Sequence, residues 1–439
     1  MIEYKYSELT DIIRIKFNNT KLVNKNLIGK SMAFFASESS RKEEIPNTTL
    51  DNQLLNSIKE FDINKLNLKK SSQSENIEIY LFSCIVLLCS YQYILLEKNL
   101  IGAYKMINVW YKTTAILDLD REIFNYGIFL HSYLKKQTKI ALPNESNEFD
   151  HLGLHSKTKK KPKILPITIL FFDGPISRTY LEVLRIYNFR PKKILRLIKN
   201  KNLLSEKLKK TLIKIDLFDQ IINKIPNKTS IKARILEKKH SKAFNAFNAE
   251  LDRILPKHGV KKLKYDRKLT DYCDKVENVF IDSFHSLDLE NCIATDNSKF
   301  ILFTGGGIVP EKLTTFNKII HAHPGYLPLI RGSDCIFWSK ILFANFSCSV
   351  FLMDKGIDTG DIIFKTSFPS LARINYLEHL GNDTYDFIFM FLDPWIRAIS
   401  LIKAINKTNL FQECKYETQK KGFDNTFYKI SPEIMRDIF

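Results

Sequence analysis

Short β-branched and aromatic runs alternate with helical segments from residue 165 onward, and this alternation constrains the fold more than any other feature of the chain. Residues 166–172 (PITILFF) predict a buried strand, residues 177–187 (SRTYLEVLRIY) predict a helix, and KKILRLI after Pro191 predicts a second strand. This βαβ unit opens a doubly wound sheet, so we predict an α/β, Rossmann-like domain. The first turn reads DGPIS and not GxGxxG, which argues against a dinucleotide cofactor.

The regions on either side of this domain have a different pattern. Residues 1–145 show apolar spacing of helical period and predict an α-helical N-terminal module, and the polar residues 146–164 predict a linker. The predicted α/β domain covers residues 165–370, and a small, mostly helical C-terminal extension covers 371–439. An uncharged stretch at 79–96 has nearly the length of a membrane span, but its serines, glutamine and tyrosines favour a buried helix.

Positive charge is concentrated in one segment of the chain. The formal net charge is +19, and residues 191–270 hold 23 Lys and Arg against seven Asp and Glu. This basic insertion favours an anionic partner such as a phosphorylated substrate or RNA, and a solvated lysine-rich insertion is the alternative. The N-terminus lacks an apolar targeting segment and the seven cysteines form no CxxC pair, so we expect a cytoplasmic protein with reduced thiols.

Three loops with chemically versatile residues follow predicted strands, at the edge where open α/β sheets bind ligands. TGGGIVP follows KFILF, HAHPG follows KII, and GIDTGD separates two further strands. We expect His321, His323 and Asp358 to meet there beside exposed backbone amides. Histidine and carboxylate exchange protons near neutral pH, and amides stabilise an oxyanion, so the set suits acyl-type transfer. The HxH pair also suits a metal-dependent, amidohydrolase-like hydrolase, although further ligands are missing on later strands.

The segment HAHPGYLPLIRGSDCIFW, followed by VFLMDKGIDTGDII, resembles the signature of the folate-dependent N-formyltransferases. In that family N-x-H-P/G-S-x-L-P-x-x-R-G precedes D-x-G-I/L/F-D-x-G. The upstream ILFFDGPISRTYLEVL resembles the first βα unit of the same family. The resemblance covers residues 165–370 and implies a catalytic domain that moves a formyl group from 10-formyltetrahydrofolate to a primary amine, with no metal site.

The resemblance also implies roles for individual residues. His323 would polarise the formyl carbonyl, and Asp358 would orient His323 and accept the proton of the amine. His321 stands where the family has an asparagine that holds the formyl oxygen, and an imidazole N–H can donate to the same oxygen. The residues implied to hold the pterin of the donor are Gly305, Gly306, Gly307, Ile308, Val309, Gly356, Ile357, Gly360 and Asp361. The predicted substrate-binding residues are Arg331, Gly325 and Tyr326. Bracing of the loop is the alternative role of Arg331. Gly325 stands where the family has a serine.

The acceptor is the least constrained part of the prediction. A tRNA formyltransferase is expected to carry a β-rich RNA-binding domain after the core, whereas residues 371–439 look helical. We therefore predict a small amine, in particular a phosphorylated or nucleotide-linked amino sugar, and methionyl-tRNA is the less favoured acceptor. A non-catalytic folate- or ligand-binding module is a further alternative. The N-terminal helices are a candidate surface for a homodimer or a protein partner, and membrane association is not expected.

Overall fold

A computed structural model of the protein describes residues 5, 7–9, 12, 73–95, 99–114, 121–137, 161–199, 228–255, 267–306, 309–372, 375–408, 410–411, 415–419, 426–427 and 429–435. Its strands are β1 (Lys163–Phe171), β2 (Phe189–Lys199), β3 (Val276–Ile281), β4 (Phe300–Phe303), β5 (Lys318–His323), β6 (Arg331–Gly332), β7 (Phe346–Leu352), β8 (Ile362–Phe368) and β9 (Thr426–Phe427). Its α-helices are α1 (Gln73–Leu95), α2 (Leu100–Thr114), α3 (Arg121–Lys136), α4 (Pro175–Ile186), α5 (Lys228–Lys239), α6 (Ser241–Ile254), α7 (Leu287–Ala294), α8 (Glu311–Phe316), α9 (Cys335–Phe343), α10 (Pro369–Ala372), α11 (Thr384–Phe387), α12 (Asp393–Lys407) and α13 (Pro432–Met435).

The described chain divides into two compact units. The first combines the described residues of Met1–Thr138 with those of Lys429–Asp437. In this unit the side chain of Asn108 on α2 accepts from the backbone N–H of Ser431 at 2.7 Å, so the end of the chain is tied to the N-terminal helices. None of the helices in the described residues is long and apolar enough to cross a membrane.

The second unit, within Lys139–Tyr428, contains the sheet that positions the candidate site. The strand order is β3-β2-β1-β4-β5-β7-β8, and β6 pairs with β9 in a separate ribbon. Strands β1 to β5 are parallel, whereas β7 runs antiparallel to both β5 and β8. The order reverses between β1 and β4, and such a reversal opens a crevice at the carboxyl ends of the strands. The predicted α/β, Rossmann-like fold is confirmed.

Strand β5 extends further than the sequence predicted. His321 and His323 lie inside the strand and not in a loop after it, because β7 pairs with this part of the chain. His321 is opposite Phe351 and His323 is opposite Ser349. Side chains two residues apart point to the same face of a strand, so the two imidazoles share one face of the sheet.

Helix α12 packs against β5, β7, β8 and α4. This helix lies in the predicted C-terminal extension. A π-helical turn, Ile388–Leu392, leads directly into it, so α12 continues a helical run that begins at Thr384. The buried side chains of Ile396 and Ile399 hold the helix on the sheet, and Arg397 lies between them in sequence. Helix α12 therefore brings a cation to the core beneath the candidate site.

Part of the basic segment is paired within the second unit. Lys232 binds Asp386 at 2.6 Å, and Asp383 binds Lys239 at 2.5 Å and Nε2 of His240 at 2.6 Å. Hydrogen bonds from His240 and Lys239 lower the pKa of Asp383. These contacts dock α5 and α6 on residues 375–387, so some of the positive charge that the sequence analysis assigned to an anionic partner is neutralised internally.

Candidate active site

His323 and Asp358 form the centre of the candidate site. Nδ1 of His323 lies 3.4 Å from Oδ2 of Asp358, and the same oxygen accepts a 2.8 Å hydrogen bond from the backbone N–H of Gly332. Nε2 of His323 lies 3.2 Å from the carbonyl oxygen of Ile330. A carbonyl only accepts, so Nε2 carries the proton, and the lone pair of a neutral ring at Nδ1 faces the carboxylate. Neither Nδ1 nor Oδ2 carries a proton in this state. The pair can therefore accept one proton, which Nδ1 and Oδ2 would share.

A buried ion pair on α12 contacts the neighbouring histidine. Nε of Arg397 donates to both carboxylate oxygens of Asp393 at 2.9 and 3.0 Å. Nη1 of Arg397 donates to the carbonyl of Ala322 at 2.8 Å and to Nε2 of His321 at 3.3 Å. Nδ1 of His321 must then carry the ring proton, which it donates to the carbonyl of Phe303 at 3.2 Å. Both ring nitrogens of His321 are thus occupied, and a bond from this ring to a formyl oxygen requires one of these contacts to open.

Burial favours a neutral imidazole at both positions. Burial and the Arg397 guanidinium lower the pKa of His321 to about 3. Burial also lowers the pKa of His323, although the charge of Asp358 acts in the opposite direction. Burial disfavours the charge of Arg397 too, but Asp393, together with Tyr180 and Cys348, offsets it and the pKa of Arg397 is raised.

We predict that His321 makes the protein less stable on acidification. Its pKa of about 3 in the folded state lies below the value of about 6.5 expected when unfolded, so the unfolded chain binds more protons at low pH. The free energy of unfolding should therefore fall as the pH drops below about 6.5 towards 3. The charged or titratable groups that face His321 are Arg397, Asp358 and His323.

Urea denaturation at several pH values tests this prediction. The variant His321→Gln should lose less stability than the wild type between about pH 7 and 5, because one proton-linked group is gone. The exposed His379 provides the control, and His379→Gln should follow the wild-type curve. Equal pH slopes for the wild type and His321→Gln would contradict the prediction.

Gly325 occupies the position of the family's serine because a side chain has no room there. A Cβ at this position would lie 2.8 Å from Nε2 of His323, 2.8 Å from the carbonyl oxygen of Ile330 and 3.0 Å from Cβ of Cys335. A side chain at residue 325 would therefore compete with the hydrogen bond that orients His323.

The expected cost of filling this position is about 1–3 kcal/mol for Gly325→Ala, the usual range for overpacking a closed site. The measurement is the free energy of unfolding in urea. Gly306→Ala is the matched control, since a Cβ at Gly306 would meet no atom within 4 Å. Its stability should change by less than about 0.5 kcal/mol. Equal stability of the two variants would show that a Cβ fits at residue 325 and would contradict the prediction.

A cavity of about 560 Å³ opens at the carboxyl ends of β1, β3 and β4. Its lining residues are Phe172, Asp173, Gly174, Pro175, Ile176, Ser177, Ile281, Asp282, Ser283, Phe284, His285, Thr304, Gly305 and Gly306. Thr304 directly follows Phe303, whose carbonyl accepts the bond from His321. The cavity is thus linked to His321 through residues 303 and 304, while His321, His323 and Asp358 are not among its described lining residues.

The first of the two predicted donor loops borders this cavity. Gly305 and Gly306 line it, whereas the side chain of Val309 belongs to the hydrophobic core of the sheet. Gly307 and Ile308 lie outside the described residues. Of the three predicted residues that the structure describes in this loop, two lie at an open surface.

The second predicted donor loop is a tight turn. A Cβ at Gly360 would lie 1.7 Å from the carbonyl oxygen of Leu352, so only glycine fits there. The N–H of Gly356 donates to the side chain of Asp354 at 2.9 Å, and the backbone carbonyl of Asp361 accepts from the N–H of Leu352 at 2.8 Å. The side chain of Ile357 is 44% exposed. Among the described residues, this turn does not contribute to the lining of the 560 Å³ cavity. The two loops are thus not brought together around it.

Two of the predicted substrate-binding side chains are buried. Arg331 donates through Nε and Nη2 to Oε1 of Gln419 at 3.2 and 2.7 Å. The ring of Tyr326 packs 6.4 Å from the ring of Phe343, with Nζ of Lys365 5.4 Å from its centroid. The geometry of Arg331 matches its alternative role, that of a loop brace.

Three residues of the site escaped the sequence analysis, namely Arg397, Asp393 and Gln419. Asp393 and Arg397 stand four apart in a segment rich in isoleucine, and an ion pair at helical spacing in an apolar stretch was a usable signal. Gln419 has no local signal, because its partners lie far away in the sequence. In the described part of the chain, no three or more His, Cys, Asp and Glu side chains cluster to hold a metal ion. The structure therefore adds no support to the metal-hydrolase alternative.

Comparison with known proteins finds sequence similarity to two curated enzymes. The chain is 30% identical over 108 residues to a methionyl-tRNA formyltransferase of Syntrophus aciditrophicus (strain SB), and 33% identical over 102 residues to that of Orientia tsutsugamushi (strain Boryong). These alignments cover 23% and 22% of this chain, and 31% and 33% of the relatives. The chain thus spans about a third of the length of the curated relatives it matches. No protein-family profile matches it.

Solved structures of formyltransferases also align with the chain. A sugar N-formyltransferase from a Shewanella species aligns at 13% identity and a TM-score of 0.29, over 64% of this chain and 87% of that one. Glycinamide ribonucleotide transformylase 1 from Symbiobacterium toebii aligns at 11% identity and a TM-score of 0.31, over 63% of this chain and 100% of that one.

Fold and site together define an α/β domain with a buried His–Asp pair at the carboxyl edge of a doubly wound sheet. The resemblance of this chain to the N-formyltransferases is confirmed by the sequence identity it shares with them over about 100 residues.

Proposed function

We propose that this protein transfers a formyl group from 10-formyltetrahydrofolate to a primary amine. The observation that carries the proposal is the pairing of His323 with Asp358, 3.4 Å apart, in a buried setting where Nδ1 of the ring faces the carboxylate. Formyl transfer to an amine releases one proton from the attacking nitrogen, and this pair is arranged to take it. The sequence identity to formyltransferases supports the same chemistry.

In the proposed reaction the amine nitrogen attacks the formyl carbon, a C–N bond forms, and the carbonyl oxygen becomes an oxyanion. The nitrogen, now positively charged, gives a proton to the Asp358–His323 pair. The charged imidazolium balances the oxyanion while it exists. Breakage of the bond between the formyl carbon and the tetrahydrofolate nitrogen then returns the oxyanion to a carbonyl, and the proton moves to the departing nitrogen. Atoms and charges balance without any further reactant.

An amino sugar is the acceptor that we propose, and the 560 Å³ cavity supports it. Ile176 and Ser177 in the first turn of α4 line the cavity, and the first N–H groups of a helix have no partner within it. Asp282 provides a carboxylate, whereas the carboxylate of Asp173 is paired with Arg178 at 2.8 and 3.1 Å. Sugar hydroxyls both donate and accept, so they match such a mixed lining. A phosphate would suit the N-terminus of α4 but would be repelled by the Asp282 carboxylate, whereas Arg178 offsets the charge of Asp173. This mixed lining supports the sugar portion of a nucleotide-linked acceptor.

Methionyl-tRNA is the second candidate acceptor. The curated relatives that share about 30% identity are methionyl-tRNA formyltransferases, and residues 191–270 carry the excess of lysine and arginine that binding to a phosphate backbone requires. The ion pairs of Lys232 and Lys239 with aspartates reduce the charge that this segment offers to RNA.

The test is release of tetrahydrofolate from 10-formyltetrahydrofolate by the purified full-length protein. Separate reactions contain an amino sugar, a nucleotide-linked amino sugar, or methionyl-tRNA. We expect the fastest turnover with the nucleotide-linked amino sugar. Fastest turnover with methionyl-tRNA, falling steeply as salt rises, would replace the sugar proposal by the tRNA one. No turnover together with no binding of the folate would overturn both.

A further inference from the structure

Gln419 connects two parts of the candidate site that are remote in sequence. Its Oε1 accepts from Nε and Nη2 of Arg331 at 3.2 and 2.7 Å. Its Nε2 donates to the backbone carbonyls of Asp358 at 3.0 Å and Gly360 at 2.6 Å. Arg331 and Gln419 are both only 7% exposed. The amide oxygen of Gln419 thus binds Arg331, in the loop that follows the two histidines. The amide nitrogen binds the turn that carries Asp358.

The turn around Asp358 needs such support. Asp358 has a φ of 53°, in the left-handed region that non-glycine residues rarely occupy and that costs about 1 kcal/mol or more. Only contacts from the surrounding structure can keep it there. The bonds from Gln419 to the carbonyls of Asp358 and Gly360 bracket this strained residue, so they fix the direction in which its carboxylate points.

The same part of the chain holds the other partner of Asp358. Strand β9 pairs with β6, with Gly332 opposite Phe427, and the N–H of Ser333 donates to the carbonyl of Phe427 at 2.9 Å. Gly332 has a φ of 97°, and a Cβ there would lie 2.3 Å from the oxygen of Phe427. This close pairing sets the position of Gly332, whose own N–H binds Oδ2 of Asp358. The backbone of Asp358 is therefore located by Gln419, and its carboxylate by Gly332, which pairs with Phe427.

From these contacts we infer that Gln419 is a positioning residue, which holds the Asp358 carboxylate against Nδ1 of His323. The inference rests on the proposed formyl transfer, in which this pair accepts the proton. Gln419 touches neither reactant, so its effect is transmitted through the Asp358 turn. Displacement of a catalytic group by about 1 Å can slow a reaction about a hundredfold.

Two substitutions separate the contacts of Gln419. Gln419→Glu keeps the oxygen that binds Arg331 but replaces the NH2 group, so a carboxylate oxygen faces the carbonyls of Asp358 and Gly360. Gln419→Met removes both sets of bonds at similar volume. Glu417→Gln is the control, because the Glu417 side chain is 64% exposed and its contact is a 3.0 Å ion pair with Lys365.

The first readout is steady-state kinetics over a range of pH. Gln419→Glu is expected to lower kcat by about tenfold to a hundredfold, with KM changed much less, and to shift the acidic limb of the pH–kcat profile, because the His323–Asp358 spacing changes. Glu417→Gln should match the wild type. A parallel loss of kcat and of folded protein with an unchanged pH profile would reduce Gln419 to a structural role and overturn the inference.

The second readout does not depend on activity. Titration of the His323 imidazole by NMR, assigned with His323→Ala, should show a different pKa in Gln419→Glu and the wild-type value in Glu417→Gln. An unchanged His323 titration in Gln419→Glu overturns the inference even if formyl transfer is found. Conversely, a shifted titration in a protein that transfers no formyl group keeps the link between Gln419 and the pair while rejecting the proposed function.

Discussion

Replacement of Asp358 by asparagine or of His323 by alanine is expected to lower kcat/KM for formyl transfer by about 10²–10⁴-fold, the range that general acid–base catalysis contributes. Asparagine keeps the shape of the side chain and an oxygen for the N–H of Gly332, but it cannot accept the proton of the amine. Alanine removes the ring that shares the proton. Tetrahydrofolate release under single-turnover conditions measures the loss, and circular dichroism verifies folding.

Matched controls make this result specific. Asp288 and His379 are exposed, so Asp288→Asn and His379→Ala carry the same chemical changes to the surface. Both should retain wild-type activity. Asp358→Asn with more than about a third of the wild-type rate would show that the carboxylate takes no proton, and the proposed mechanism would then have to be abandoned.

Replacement of Arg397 by methionine is expected to destabilise the protein by about 3–5 kcal/mol, the cost of leaving one member of a buried ion pair without its partner. Asp393 has no exposed surface, so water cannot replace the guanidinium. The substitution also removes the donor to Nε2 of His321 and to the carbonyl of Ala322. The free energy of unfolding in urea measures the effect.

A double-mutant cycle separates the charge from the packing. Asp393→Leu combined with Arg397→Met removes both charges, so the double variant should lose less stability than the sum of the two single variants. Arg253→Met is the surface control, because Arg253 is 73% exposed in its pair with Glu250 and such pairs contribute little. Additive losses in the cycle would mean that Arg397 and Asp393 do not stabilise each other.

The alternation of strands and helices after residue 165 was sufficient to predict the sheet, because each strand shows as a short apolar run. Strand β5 shows the limit of this reasoning. The apolar run of β5 ends at Ile320, yet the strand continues through both histidines because β7 pairs with it. Backbone pairing with a distant strand stabilises an extended conformation regardless of side-chain polarity, and no pattern within the strand reports it.

Motif spacing also predicted that His323 and Asp358 would meet, but on the expectation that both follow strands whose carboxyl ends share one edge. Strand β7, which precedes the Asp358 turn, instead runs antiparallel to β5. The spacing of the motifs did not predict the hydrogen-bond partners or the charge of these side chains. His321 was expected to offer an N–H to the formyl oxygen, but its ring nitrogens bind Arg397 and the carbonyl of Phe303. Whether His321 contributes to catalysis stays a prediction, and the geometry gives it a buried, neutral and doubly bonded ring.

By itself, the sequence determined the order of strands and helices, the family resemblance and the two residues proposed to share a proton. Only the tertiary structure decided what surrounds them. Arg397 reaches His321 across 76 positions, and Gln419 reaches Asp358 across 61. Periodic patterns and motifs report interactions between residues near in sequence. The partners of a buried polar group are instead set by which elements pack together, and Arg397 and Gln419 both come from the part of the chain that follows strand β8.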